Sequence, residues 1–153
     1  MIKESFFILK KDYKSELRNR YSFNSLLLFV IITITILLFS LGLEDISLDI
    51  HAGLFWIIVF FAATNGLSRT FVSEEERGTT LVLKLVSDSG TIFLGKLLFN
   101  LCLMLLLSFF VLILYLFFMN GFLIKNYYLF LITIIFGSIG LSSASTIIAA
   151  IIS

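Results

Sequence analysis

Side chains able to do chemistry are few in this chain, and they stand apart from one another. His51 and Cys102 are its only histidine and its only cysteine. Cys102 has no thiol or imidazole near it and sits inside an apolar run, where it reads as a small apolar residue. His51 follows Glu44, Asp45 and Asp49, and a lone imidazole beside acidic residues at an interface is expected to be solvated. No Walker lysine loop, no HExxH and no Ser-His pair on one face is present, so there is no catalytic constellation. Any dependence on ATP must rest on hydrolysis by a partner. The densest polar cluster is Glu74-Glu75-Glu76-Arg77-Gly78-Thr79, and its meaning depends on where the rest of the chain puts it.

What surrounds these residues is apolar. Charged residues make up 14% of the chain, against about 25% in soluble domains, and apolar residues 59%. Runs free of charge cover about 25–43, 52–68, 97–119 and 129–152. Each has the roughly 17–25 residues that cross about 30 Å of hydrocarbon at 1.5 Å per residue. Their Ile, Val and Phe would suit strands in water, but in lipid a lone strand leaves its backbone polar groups unsatisfied, which forces a helix. The first run follows a charged stretch, lacks a small-residue cleavage site and precedes three more runs, so it is a span and not a cleaved signal. Residues 1–153 are expected to form a single transmembrane domain, an all-α integral membrane protein with about four transmembrane helices.

Lysine and arginine set the orientation. Lys3, Lys10, Lys11, Lys14, Arg18 and Arg20 precede the first span, and Arg69, Arg77, Lys84 and Lys96 lie between the second and third. The alternate connections hold only Lys125, so ten of the 11 basic residues fall on one side. The positive-inside rule makes that side cytoplasmic, with the N-terminus and segment 69–96 inside, as in a multi-pass protein of the bacterial inner membrane. The basic residues form no stripe on a folded domain, which excludes nucleic-acid binding. The fourth run ends Ile151-Ile152-Ser153 with no basic or aromatic anchor, which favours a piece of a longer protein over a last span held by partners.

The two inner segments carry pattern. In 1–24, Ile2, Phe6, Leu9, Tyr13 and Leu17 recur at helical spacing while Lys3, Lys10, Lys14 and Arg18 share another face. Such an amphipathic helix lies in the interface, its apolar stripe toward lipid acyl chains and its lysines at anionic headgroups. In 69–96, Glu74, Glu75 and Glu76 close a polar extension of the second span and Gly78 breaks it. Thr79 then caps a short helix with Leu81, Val82, Leu85 and Val86 on one side. Ser87 to Gly90 is a turn, and Ser89 or Thr91 starts the third spanning helix. That sequence of helix, break, apolar-faced helix and turn suits a docking element; a solvated charge cluster is the plainer alternative.

An acidic run, Gly-Thr, a leucine-rich helix, a small-residue turn and Gly-Lys before a long span resemble the CcmB (heme exporter protein B) family of cytochrome c maturation permeases. The residues that carry the resemblance are Glu75, Gly78, Thr79, Leu81, Leu85, Gly95 and Lys96, with Phe55, Trp56, Phe60 and Phe61 in an aromatic-rich second span. The family usually has proline after the leucine helix, where this chain has Asp88-Ser89-Gly90. The resemblance implies the front part of a six-span ABC-2-type permease with no chemistry of its own. It also implies as partners a cytoplasmic ABC ATP-binding subunit and other cytochrome c maturation membrane subunits; a second permease copy is a further candidate partner, from the small residues of the fourth run. Heme is then the ligand that the complex transports or handles, and no bound cofactor is expected in this chain; axial ligation of heme iron by His51 is the sharper alternative to solvation. The segment Glu74, Glu75, Glu76, Arg77, Gly78, Thr79, Leu81 and Leu85 becomes the ATPase-coupling loop. An export permease for a lipid or drug, and a non-transporting scaffold, are the competing functions.

No Asp, Glu, Lys or Arg falls inside the four runs, which argues against a proton- or sodium-driven transporter. Asn65 and Asn100 are expected to hydrogen-bond between helices, and Gly137 and Gly140 to allow close helix packing, within the chain or across a dimer.

Overall fold

Hydrocarbon gives a backbone amide nothing to bond to, and the apolar runs resolve into helices accordingly. The computed structural model describes residues 2–18, 20–41, 46–67, 85, 88–119 and 122–152. Its helices are α1 (Ile2–Arg18), α2 (Arg20–Leu41), α3 (Leu48–Leu67), α4 (Ser89–Phe118) and α5 (Tyr127–Ile152). The last four are long and apolar enough to cross a membrane, which is the all-α, four-span architecture expected from the sequence.

The helix ends follow local chemistry. α3 starts four residues before the apolar run at Ala52, and the amide of His51 bonds to the carbonyl of Ser47 at 3.1 Å. This draws His51 out of the expected loop and into the first helical turn. α4 starts at Ser89, one of the two expected positions, behind an extended Asp88. At 30 residues it is about 45 Å long, more than about 30 Å of hydrocarbon requires. α5 starts where the Asn126 side chain accepts the amides of Tyr128 (3.1 Å) and Leu129 (3.2 Å), an N-cap that stands in for the missing helical carbonyls.

α4 is the hub, touching α1, α2, α3 and α5. Val30 and Ile34 of α2, Phe55, Ile58, Val59, Ala62 and Ala63 of α3, and Met104, Leu107, Val111 and Tyr115 of α4 form the core. Only 17–33% of each span is buried within the chain, so most of the helical surface is outward-facing Ile, Leu and Phe that lipid or other helices must cover. Polar side chains on that outer surface bond to their own helix: Thr35 to Ile31 O (2.7 Å), Thr133 to Leu129 O (2.7 Å) and Asn65 to Phe61 O (2.9 Å). Asn65 is exposed, and among the described residues its side chain bonds within its own helix and not to another.

α1 departs from the two-faced reading. Its buried residues are Ser5, Ile8 and Asp12, a third face that packs on α4. Phe6 (63% exposed) and Tyr13 (55% exposed), from the expected apolar stripe, point away from the protein, and Lys10, Lys11 and Lys14 are exposed. A helix with one face on protein, one apolar and one basic fits the boundary between lipid and water.

The two glycines singled out in α5 differ sharply. A Cβ on Gly137 would press into the Trp56 ring, with Cζ3 at 2.7 Å, whereas one on Gly140 would meet nothing within 4 Å. Gly137 therefore lets α3 and α5 close on each other, and Gly140 faces open space. Gly137→Leu is expected to lower the thermal unfolding midpoint in detergent by several degrees, about 1–3 kcal/mol of overpacking, while Gly140→Leu leaves it unchanged. Equal midpoints for the two variants would contradict this packing.

Candidate functional site

The described polar chemistry sits at three levels along α4. At its N-terminal end, α1 is fastened by contacts in succession. Ser5 Oγ donates to the carbonyl of Thr91 at 3.2 Å. Gly95 leaves room for α1, since a Cβ there would stand 2.8 Å from Ile8 Cβ and 3.0 Å from Ser5 O. Lys96 Nζ lies 3.9 Å from Asp12 Oδ2, with side chains 1% and 10% exposed. The other oxygen of Asp12 lies 3.3 Å from Lys11 Nζ. An ammonium removed from water needs a charged or hydrogen-bonding partner, and Asp12 supplies one.

One turn further on, Asn100 Nδ2 donates to Thr146 Oγ1 at 2.8 Å, and Thr146 Oγ1 donates to Ser142 O at 2.6 Å. This joins α4 to α5 through a buried pair, the kind of contact that holds helices together where lipid supplies no hydrophobic drive. Asn100 makes this bond because it faces a helix, where Asn65 does not.

At the far end of α4, Tyr115 meets His51. The hydroxyl donates to the His51 carbonyl at 3.3 Å and lies 3.1 Å from Nδ1. Phe122 packs against both rings, with centroids 5.8 Å from His51 and 5.0 Å from Tyr115, and Phe55 stacks on Phe122 at 6.4 Å. His51 is 2% exposed, and its Nε2 is buried without a hydrogen-bond partner. The expected solvated histidine is thus corrected to a packed one: the early start of α3 carries it under the aromatic rings.

Other predicted positions lie elsewhere. Glu74, Glu75, Glu76, Arg77, Gly78, Thr79 and Leu81 fall outside the described residues, and Leu85 is helical and 86% exposed. Cys102 is exposed on α4, facing outward from the chain. Beside Gly137, Trp56, Phe60, Ile132 and Phe136 line an open apolar groove of about 580 Å³. Among the described residues no group of three His, Cys, Asp or Glu could hold a metal ion. Sequence reasoning missed Asp12 and Tyr115 as partners of Lys96 and His51. Ser5, Ile8 and Asp12 share one helical face, but their mixed polarity gives no hydrophobic signal. Tyr115, 64 residues from His51, gave none.

The family model described as CcmB protein matches residues 3–153. A search of curated proteins and a search of solved structures each returned no match.

Tyr115→Phe keeps the ring stack and removes the hydroxyl that holds His51. It is expected to lower unfolding free energy in mixed micelles by about 1 kcal/mol. A variant as stable as the parent would contradict the bond.

Proposed function

The chain belongs to the CcmB family, membrane permease components of the heme exporter of cytochrome c maturation, and on that premise we propose that it couples a cytoplasmic ATPase to its spans through segment 69–96. The family match over residues 3–153 carries this reading, because it takes in that segment as well as all four spanning helices. The chain is a multi-pass membrane protein and not itself an enzyme. Hydrolysis then belongs to a separate ATP-binding subunit, and the other membrane subunits of cytochrome c maturation complete the assembly.

The charge distribution supports a cytoplasmic position for α1 and for 69–96 in the bacterial inner membrane, since ten of the 11 basic residues lie in or beside them. Within 69–96, Glu74, Glu75, Glu76 and Arg77 offer charge to a docking surface, Gly78 a break, and Leu81 and Leu85 an apolar face. The α4 end of the segment supports a mechanical role. Thr91, Gly95 and Lys96 sit in the first turns of α4 and pack on α1, so a pull on the segment acts directly on a spanning helix. Heme is the ligand handled by the assembly.

With the partner ATPase reconstituted in liposomes, Glu75→Arg and Gly78→Val are each expected to cut stimulated ATP hydrolysis roughly tenfold, within the range of a coupling free energy of about 1–3 kcal/mol. Membrane insertion, read by protease protection, stays normal. Wild-type stimulation in both variants would favour a scaffold whose segment can be altered freely.

A further inference from the structure

We propose that Asp12 and Lys96, with Gly95 as the seat, are positioning residues that lock α1 to α4, so that the interfacial helix and the spanning helix move as one body. The inference rests on the coupling role proposed for segment 69–96 and adds a second moving part to it.

Three contacts of different chemistry follow one another along the joint. The hydrogen bond from Ser5 to the Thr91 carbonyl, the Ile8 side chain over Gly95, and the ion pair of Asp12 with Lys96 run in the same direction on both helices. A joint of one contact can pivot; three in series fix both angle and register. Gly95 brings the backbones close, because any larger residue would have to displace the branched Ile8 side chain and the Ser5 carbonyl. Lys96 adds a charged contact to the seat, its ammonium buried 3.9 Å from the Asp12 carboxylate.

The position of the joint gives it a consequence. Lys96 is the eighth residue of a helix that begins directly after segment 69–88. The joint lies in the first turns of α4, the part of that helix closest to the segment. A displacement of the segment then reaches two structures together: the core through α4, and the lipid boundary through the exposed Phe6 and Tyr13 of α1. On this reading α1 is a lever, where a merely anchored interfacial helix would stay behind when α4 moved.

The test uses the full complex with its ATPase in liposomes, in a Cys102→Ser background. Lys96→Met is expected to cut stimulated ATP hydrolysis roughly tenfold, again within the range of ordinary coupling free energies, with insertion and co-purification unchanged. Asp12→Asn is expected to cut stimulation as Lys96→Met does, and exchanging the two charges, Asp12→Lys with Lys96→Asp, is expected to restore it, which a role of either residue by itself would not predict. Failure of the exchange to restore stimulation would overturn the proposal, as would wild-type coupling in Lys96→Met. If Gly78→Val uncouples and Lys96→Met does not, the joint fails and the coupling role of the segment stands. If the wild-type chain does not stimulate the ATPase at all, the coupling role itself fails and takes the joint with it.

Discussion

A bilayer core offers no water, and this constraint governs the structure from its backbone to its few polar contacts. Main-chain groups must be satisfied within each segment, so the apolar runs become helices although Ile, Val and Phe dominate them. Polar side chains obey the same rule. Those facing outward, such as Thr35, Thr133 and Asn65, return to carbonyls of their own helix. Of those facing inward, Asn100 meets Thr146 and Tyr115 meets His51 across helices, while Ser142 returns to the Ile139 carbonyl of its own helix. Lipid gives no hydrophobic reason for apolar helices to associate, so close approach and such pairs must hold the bundle together.

Both kinds of contact converge on α4. Its middle carries the apolar core with α2 and α3, one side bonds to α5 through Asn100, and its far end is pinned by the rings around His51. Because α4 exceeds the hydrocarbon thickness, its first turns lie where α1 can pack, and there the contacts change from apolar to ionic. A charged pair is tolerable at that level and would be costly at mid-bilayer. The absence of Asp, Glu, Lys and Arg from the four apolar runs and the presence of Lys96 in α4 are therefore consistent: the helix is longer than the run.

The four long apolar helices were legible because run length is a one-dimensional signal. Facing is not. Asn65 and Asn100 are the same residue type in similar surroundings, yet one bonds to its own helix and the other to α5. Gly137 and Gly140 are three residues apart, and only Gly137 meets a neighbour, because Trp56 comes from a helix whose azimuth no local pattern specifies. His51 was misplaced for two reasons: α3 starts earlier than its apolar run, and its partner Tyr115 is remote in sequence. The amphipathic reading of α1 names an apolar and a basic face but not the narrow Ser5, Ile8 and Asp12 face, whose mixed polarity hides it from any hydrophobic periodicity. Gly95 enters the sequence reading through a family pattern and Lys96 through that pattern and its charge, and the structure adds a packing contact for each.

The central claim is that four helices cross the membrane with α1 and the start of α4 on its cytoplasmic side. Single cysteines in a Cys102→Ser background test it directly, using a membrane-impermeant maleimide on spheroplasts. Lys125→Cys should label in intact spheroplasts, whereas Lys10→Cys and Asp88→Cys should label only after permeabilisation. The reverse pattern, or labelling of Lys10→Cys and Asp88→Cys from opposite sides, would contradict the orientation and the coupling scheme that depends on it.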